Sequence, residues 1–153
     1  MALPVLNFPQ IDVRFKSNAK NTLQVFDIVR KKFVDLTPEE WVRQHLIHYL
    51  INEKQFPLSV ISVEKQLVLN GTKKRYDMVV FNNALNPLLI IECKAPQLKL
   101  TNQTLHQALR YNLNLQVPYV LITNGLQHAV LNFKNKTAVV EKEIPTYNEL
   151  VFL

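Results

Sequence analysis

Two acidic residues and a lysine lie within or at the end of strongly apolar segments. Asp77 lies in the segment RYDMVVF, and Glu92 and Lys94 flank Cys93 in the segment LLIIECK. Charged groups among buried strand residues need an opposite charge or a metal ion to compensate their loss of hydration. A divalent cation is the simplest common partner for two carboxylates, so this pattern indicates metal-dependent hydrolysis.

The chemistry that fits these residues is cleavage of a phosphodiester bond. One or two Mg²⁺ ions held by carboxylates can activate water, stabilise the developing negative charge and neutralise the leaving oxygen. Mg²⁺ prefers oxygen ligands and keeps several waters, so two or three protein oxygens are sufficient. We predict that Asp77, Glu92 and the backbone carbonyl of Cys93 bind Mg²⁺, with Mn²⁺ as a substitute.

Lys94 is expected beside the metal-bound water. Residues two apart on a strand share a face, so Glu92 and Lys94 point the same way and Cys93 points to the other face. Lys94 can then orient or deprotonate the water, or contact phosphate charge. A nearby metal ion would favour the neutral lysine that a base requires.

The elements that must position these residues follow from hydropathy patterns and turn residues. Thr37-Pro38-Glu39-Glu40 begins a helix that continues to about Glu53, because threonine caps, proline suits the first turn and Glu40 completes a capping box. A second helix is predicted over 101–115. The predicted strands of the main sheet are 58–69, 74–82, 88–94, 117–123 and 126–133, and the segment 137–141 is a less regular candidate for a last strand.

The predicted fold class is α/β, with an αβββαβ core and a mixed four- to five-stranded sheet flanked by helices. The helix between the third and fourth core strands permits a parallel pairing there. Segments 11–16 and 22–28 alternate as an N-terminal β-hairpin. We expect one domain over 1–153, with residues 1–34 as a β extension and residues 35–145 as the core.

Charge and composition narrow the class of protein. The 153 residues carry a net charge of +6 with a pI near 9.5, which favours a polyanionic partner such as nucleic acid. No apolar run is long enough to span a membrane, and the N-terminus lacks a signal-peptide pattern. The single cysteine excludes an intramolecular disulfide and a multi-cysteine zinc site, so a cytoplasmic protein without membrane partners is predicted.

Several basic residues close to the acidic pair have two open interpretations. Lys73, Lys74 and Arg75 precede Asp77 and either form a solvated turn or contact phosphate beside the site. Lys99 follows the strand of Glu92 and either remains in a solvated loop or reaches the nucleic-acid backbone. The four histidines lack the spacing of a zinc site and are expected at the surface or in packing contacts.

The ordered set of Asp77 and Glu92-Cys93-Lys94 resembles the PD-(D/E)xK nuclease superfamily, with Tyr76 in place of the first proline. The segments FDIVRKKFVDLTPEEWVRQHLIHYLI, KRYDMVVF, IIECKAP, QALRYN and LITNG extend the resemblance over roughly residues 26 to 145. Together they resemble the N-terminal nuclease domain of type I restriction enzyme R (HsdR-like) subunits, in a short stand-alone form. This resemblance implies Mg²⁺-dependent DNA cleavage without a motor, since no P-loop pattern is present.

The resemblance also implies roles for residues on both helices. Gln107 and Tyr111 are four apart on one helix face and are similar to the QxxxY motif of RecB-type members. Gln107 would brace the active site or contact the DNA backbone, and Tyr111 would assist it. Glu40, with Glu39 as the alternative, resembles a helical glutamate that joins the metal ligands, although capping and dipole compensation explain both equally well.

The sequence therefore predicts a Mg²⁺-dependent DNA endonuclease in which Asp77, Glu92, Lys94 and Gln107 are catalytic. The alternative is a nucleic-acid-binding module with a nuclease fold that is silent or depends on a partner. A homodimer, or a complex with restriction or repair proteins, is expected from the resemblance. A hydrolase for small phosphorylated molecules has little support, since no nucleotide-binding loop is present.

Overall fold

The computed structural model describes residues 2–69, 71–112, 116–134 and 137–152, and the side chains of Thr72 and Tyr111 lie outside this description. Asn70 and residues 113–115 of the predicted second helix also lie outside it. The α-helices within these ranges are α1 (Pro38–Asn52), α2 (Asn102–Asn112) and α3 (Tyr147–Phe152). The strands are β1 (Phe15–Ser17), β2 (Leu23–Asp27), β3 (Lys32–Asp35), β4 (Ile61–Leu69), β5 (Thr72–Phe81), β6 (Pro87–Cys93), β7 (Tyr119–Thr123), β8 (His128–Asn132) and β9 (Val139–Glu141).

The main sheet contains six described strands in the order β4-β5-β6-β7-β8-β9. The strands β6 and β7 run parallel and every other neighbouring pair is antiparallel. The predicted mixed α/β architecture is confirmed, including the parallel pair on either side of α2. The sheet is one strand wider than the upper prediction, because the short β9 pairs with β8 at the edge.

Helix α1 begins as its sequence predicts. The Glu40 amide donates to Thr37 Oγ1 at 3.0 Å, and Pro38 occupies the first turn. Val42, Leu46 and Leu50 are buried along one stripe and pack with Met78, Leu89 and Ile91 of the sheet in a large core. Burial of this stripe fixes α1 against one face of β5 and β6.

Helix α2 covers the opposite face of the sheet. Leu105, Ala108 and Leu109 of α2 pack against buried Val120 and Leu131 of β7 and β8. The five residues of β7 are all buried, as expected for a central strand with a helix on each face. Helix α1 therefore packs on one face of the sheet and α2 on the other.

The N-terminal extension forms a three-stranded sheet, β1-β2-β3, rather than a two-stranded hairpin. Asp27 closes the β2–β3 turn by accepting hydrogen bonds from the amides of Val29 and Arg30 at 2.7 and 2.8 Å. This turn returns the chain into β3, a strand of four residues whose short pattern gave no sequence signal.

Other boundaries differ modestly from the prediction. A 3₁₀ turn, Leu58–Val60, precedes β4 because the chain reorients after Pro57, and the short α3 was not predicted.

Among the helices in the described ranges, none combines the length and the hydropathy needed to cross a membrane.

Candidate active site

The end of β6 places its polar side chains as strand alternation predicts. Cys93 is buried in the core on the α1 side, whereas Glu92 and Lys94 line a cleft on the α2 side. The Lys94 amide donates to the Thr123 carbonyl at 2.7 Å, which continues the contact with β7 past the last residue of β6. The backbone that carries the two charged side chains is therefore held by the sheet.

The cleft between α2 and the sheet has a volume of about 570 Å³. Its floor is apolar and includes Ile90 and Ile122, and its rim carries polar groups from α2 and β5. The charged and amide side chains of the rim are Lys74, Glu92, Lys94, Gln107, Arg110 and Asn112. Within the described residues, this rim has three cations and one carboxylate, a balance that favours an anionic ligand.

Glu92 is compensated by two lysines. Lys74 Nζ donates to Glu92 Oε1 at 3.0 Å, and Lys94 Nζ lies 3.7 Å from Glu92 Oε2. The side chains of Glu92 and Lys74 are each 30% exposed, so solvent and an incoming ligand can reach this pair. Lys74 Nζ also lies 5.0 Å from the ring centroid of Tyr76. This cation–π contact helps to hold the Lys74 side chain beside the cleft.

Asp77 lies at an irregular point of β5. The β4–β5 ladder pairs Val63 with Met78 and Lys65 with Tyr76 but omits Glu64 and Asp77 between them. Tyr76 and Met78 would share a face in a regular strand, yet they are buried in two different clusters. The side chains of β5 therefore change face between Tyr76 and Met78, and Glu64, which lies opposite Asp77 in the ladder, has a φ of +53°.

The Asp77 carboxylate contacts the backbone next to Glu92. Its Oδ2 accepts a hydrogen bond from the Cys93 amide at 2.8 Å, and its Oδ1 lies 3.6 Å from Arg43 Nη2. The N–H and C=O of one strand residue point to the same side, so the Cys93 carbonyl also faces β5. The Cys93 thiol does not take part, because burial and then the nearby Asp77 charge raise its pKa far above the usual range.

Glu40 is enclosed by cations and an amide. It is 7% exposed, and its Oε1 accepts from Arg30 Nη2 at 2.7 Å and from Arg43 Nη1 at 3.3 Å. Its Oε2 accepts from Gln44 Nε2 at 3.2 Å. The neighbouring Glu39 is exposed to solvent. Glu40 is therefore joined to Asp77 through the guanidinium of Arg43.

This charge network continues into the N-terminal sheet, which sequence reasoning did not connect with the site. Asp27 is fully buried and accepts from Arg30 Nε at 2.8 Å and from Gln44 Nε2 at 3.0 Å. Burial acts to raise the pKa of Asp27, but the hydrogen bonds and charge of Arg30 outweigh it, and the pKa is lowered. Burial opposes the charged form of Arg30, yet Glu40 and Asp27 raise the pKa of Arg30.

The sequence signal for this network is weak. Asp27 and Arg30 have the spacing of a turn, and Arg43 and Gln44 follow Glu40 on one helix. None of these patterns indicates that the turn of β2–β3 packs on the first turns of α1. Pairing across 10 or more residues depends on tertiary placement of the N-terminal sheet.

The remaining candidate residues lie around the site at different distances. Gln107 is exposed on α2 and lines the cleft, whereas the side chain of Tyr111 lies outside the described residues. Lys73 and Arg75 are exposed on β5, and Lys99 is exposed in the loop before α2. The structure thus brings Glu92, Lys94, Lys74 and Gln107 into one cleft, whereas Asp77 contacts the Cys93 amide and Arg43 of α1.

The donor atoms suit a hard cation better than zinc. Across the described ranges, no group of three or more histidine, cysteine, aspartate or glutamate side chains is arranged to hold a metal ion. The oxygens near the end of β6 are instead two carboxylates and one backbone carbonyl, which fit the few protein ligands that Mg²⁺ requires. His45 and His128 lie away from these oxygens and pack against Phe8.

Comparisons with known proteins identify the family and the fold. The sequence matches the family described as type I restriction enzyme R protein N terminus (HSDR_N) over residues 38–145. No curated protein matches the chain. A fragment of a proposed HsdR subunit of a type I restriction enzyme from Vibrio vulnificus aligns with a TM-score of 0.56 and 18% identity, over 76% of this chain and 25% of that one.

The alignment with a second solved structure covers most of this chain and most of that one. A proposed nuclease of the DUF820 family from Anabaena variabilis aligns with a TM-score of 0.50 and 11% identity, over 85% of this chain and 84% of that one. At these identities the two structures establish a shared nuclease-like fold. This chain spans about a quarter of the length of the Vibrio fragment.

Proposed function

The chain belongs to the family of type I restriction enzyme R protein N-terminal domains, and we propose that it is a Mg²⁺-dependent DNA endonuclease. The observation that carries the proposal is the contact of Asp77 with the Cys93 amide, 2.8 Å long. This contact brings one carboxylate against the strand segment that presents Glu92 and Lys94. The cation-rich cleft beside that segment suits a phosphate backbone.

We assign metal binding to three oxygen donors: the carboxylates of Asp77 and Glu92 and the carbonyl of Cys93. Mg²⁺ bound there would supply Lewis-acid stabilisation and lower the pKa of a water, and Mn²⁺ can replace it. In the structure, Arg43 and Lys74 occupy the neighbourhood of the two carboxylates at 3.6 and 3.0 Å. Both cations must therefore turn away from the carboxylates when a metal ion binds.

Lys94 and Gln107 act on the substrate side of the cleft. Lys94 shares a face with Glu92 and lies 3.7 Å from its carboxylate, so it can move a proton to or from a water beside Glu92. Gln107 projects from α2 into the same cleft, where its amide can donate to a phosphate oxygen. Tyr111 follows one turn later, and we retain it as an assisting residue.

We assign Glu40 to the support of the site rather than to the metal ligands. Arg30, Arg43 and Gln44 all donate to its two oxygens, so this carboxylate is already compensated by two guanidinium cations and needs no metal ion to neutralise it. Through Arg43, Glu40 sets the position of the guanidinium that contacts Asp77. Glu39 is exposed and serves the helix dipole at the N-terminus of α1.

The test is cleavage of supercoiled plasmid with Mg²⁺, Mn²⁺ or EDTA by the wild type and by Asp77→Asn, Glu92→Gln and Lys94→Ala. We expect metal-dependent cleavage that falls by about 10²-fold or more in each variant. Glu143→Gln, an exposed carboxylate removed from the site, is the matched control and should retain activity. Full activity of Asp77→Asn in a folded state would contradict the proposal.

A binding measurement separates metal affinity from turnover. Titration with Mn²⁺ followed by calorimetry should show binding to the wild type that is weakened in Asp77→Asn and in Glu92→Gln, and unchanged in Glu143→Gln. Nicked or linear product also distinguishes single cuts from paired cuts, and paired cuts require two sites. We propose that a second copy of this chain, or a restriction or repair partner, supplies the second site.

One observation favours a second function, that of a DNA-binding module without turnover. Arg43 and Lys74 already compensate Asp77 and Glu92, so the fold does not need a metal ion to neutralise its carboxylates. Salt-sensitive DNA binding with no Mn²⁺ binding and no cleavage would establish this alternative.

A further inference from the structure

We propose that the β4–β5 ribbon, residues 65–69 and 72–76, inserts into the major groove of double-stranded DNA. The inference rests on the proposed function, in that it takes DNA as the substrate, and it specifies the duplex and the groove. The ribbon is the two-stranded part of the β4–β5 hairpin. Residues of β5 before Met78 pair with β4 alone, because the pairing with β6 begins at Met78.

The two faces of the ribbon differ in character. Leu67, Leu69 and Tyr76 lie on an inner face that packs with Val79 and Ile90 on the sheet. The outer face pairs Gln66 with Arg75 and Val68 with Lys73 across the strands, and all four are exposed. The inner contacts hold the ribbon in place, so its outer face is presented to solvent as a fixed surface.

The charge of the ribbon is complementary to DNA. Residues 65–76 contain four cationic residues and no acidic residue, and two of the four, Lys73 and Arg75, lie on the outer face. Arg75 is 67% exposed and contacts Glu64 at 3.1 Å. Glu64 also lies 3.8 Å from both Arg30 and Arg43, so it stays compensated when Arg75 turns to a phosphate or a base.

The dimensions and residue types fit a duplex groove. Five residues of extended strand are about 17 Å long, and two strands lie about 4.8 Å apart. The major groove of B-DNA is about 12 Å wide and accepts a two-stranded ribbon. Arginine and glutamine are side chains that read guanine and adenine edges there, and Val68, 66% exposed, can contact a thymine methyl group.

Single-stranded nucleic acid and duplex RNA fit the same surface less well. Single strands are bound by exposed aromatic rings on which bases stack, whereas the described outer face has none and Tyr76 is 3% exposed on the inner face. A-form RNA has a deep, narrow major groove that side chains do not read. The position of the ribbon next to Asp77 would bring a bound duplex to the candidate active site.

The test compares the wild type with Lys73→Ala/Arg75→Ala by fluorescence anisotropy in EDTA, so that no cleavage occurs. The probes are a DNA duplex of about two helical turns, its single strand and the RNA duplex of the same sequence. Loss of these two cations should weaken DNA-duplex binding about tenfold or more and reduce the log–log salt slope by about one for each of them that contacts a phosphate. The matched control, Lys20→Ala/Lys142→Ala, removes two exposed lysines outside the ribbon and should leave the affinity and the salt slope close to those of the wild type.

Chemical protection identifies the groove. Guanine N7 lies in the major groove, so wild-type protein should protect it from dimethyl sulfate and the ribbon variant should not. Tighter binding to the single strand or to duplex RNA, absent N7 protection, or equal losses in ribbon and control variants would overturn the inference. Binding is measured without metal, so the two proposals fail separately. If the ribbon variant loses duplex binding but the wild type does not cleave DNA, only the nuclease proposal is wrong. If the wild type cleaves DNA but the ribbon variant binds normally, only the ribbon proposal is wrong.

Discussion

Glu40 gives the sharpest test of how the site is built. The substitution Glu40→Gln keeps the shape of the side chain but removes the charge that Arg30 and Arg43 contact at 2.7 and 3.3 Å. The residue is 7% exposed, so each guanidinium would lose its nearest carboxylate where solvent cannot replace it, and the more distant Glu64, at 3.8 Å from both, would remain as their shared partner. Breaking a buried ion pair by removing one partner costs about 3–5 kcal/mol.

The assay is unfolding in urea and by heat, without metal. For a chain of this length, each kcal/mol corresponds to about 2–4 °C in Tm, so we expect Glu40→Gln to lower the Tm by about 6–20 °C. The matched control is Glu39→Gln, the exposed neighbour in the same helical turn, which should change stability by less than about 0.5 kcal/mol. A double-mutant cycle with Arg30→Gln should show a coupling energy of about 1–3 kcal/mol.

A different outcome would refute the reasoning. If Glu40→Gln matched the wild type within about 0.5 kcal/mol and instead lost Mn²⁺ affinity, Glu40 would be a metal ligand and not a structural support. If both Glu40→Gln and Glu39→Gln lowered the Tm equally, the effect would come from the helix dipole and not from the buried network.

Two further predictions concern stability. Burial lowers the pKa of three histidines, His45, His48 and His128, below the ordinary value of 6.5. The unfolded chain therefore binds more protons than the folded chain near that pH. The free energy of unfolding should fall as the pH decreases through and below about 6.5. The urea midpoint should therefore decrease as the pH falls from about 8 to about 5.5, with a smaller decrease in His48→Gln, and a constant midpoint would contradict this. Gly125→Ala should destabilise the fold by about 1–3 kcal/mol, since its φ is +85° and a Cβ would lie 2.8 Å from Leu6 Cδ2. Gly71 has a φ of +76° and open space around it, so Gly71→Ala introduces only backbone strain and should destabilise the fold less. Chemical denaturation measures the free energy of unfolding of both variants. Equal losses in the two variants would show that the contact with Leu6 is irrelevant.

Local patterns predicted much of the fold. The apolar run 88–94 predicted a central strand, and β6 is buried along most of its length. Thr37 and Pro38 predicted the start of α1. These predictions succeeded because hydropathy periods and caps act within a few residues, where the sequence contains all the relevant information.

The sequence also predicted that Glu92 and Lys94 point to the same face of the sheet, because strand alternation alone places them there. The contact of Lys74 with Glu92 was not, since it joins residues 18 positions apart and depends on how the ribbon bends over β6. The change of face between Tyr76 and Met78 likewise occurs where the β4–β5 ladder omits one pair. No local pattern signals such an omission.

The sequence by itself determined the types of residue available for chemistry, the order of the core elements and the basic charge of the chain. Only the tertiary structure decided that Glu40 is enclosed by Arg30, Arg43 and Gln44, that the N-terminal sheet reaches the site through Asp27, and that the ribbon exposes one face. The physical reason is that charge compensation is set by distance in space, and buried charges select their partners from whichever elements the core brings together.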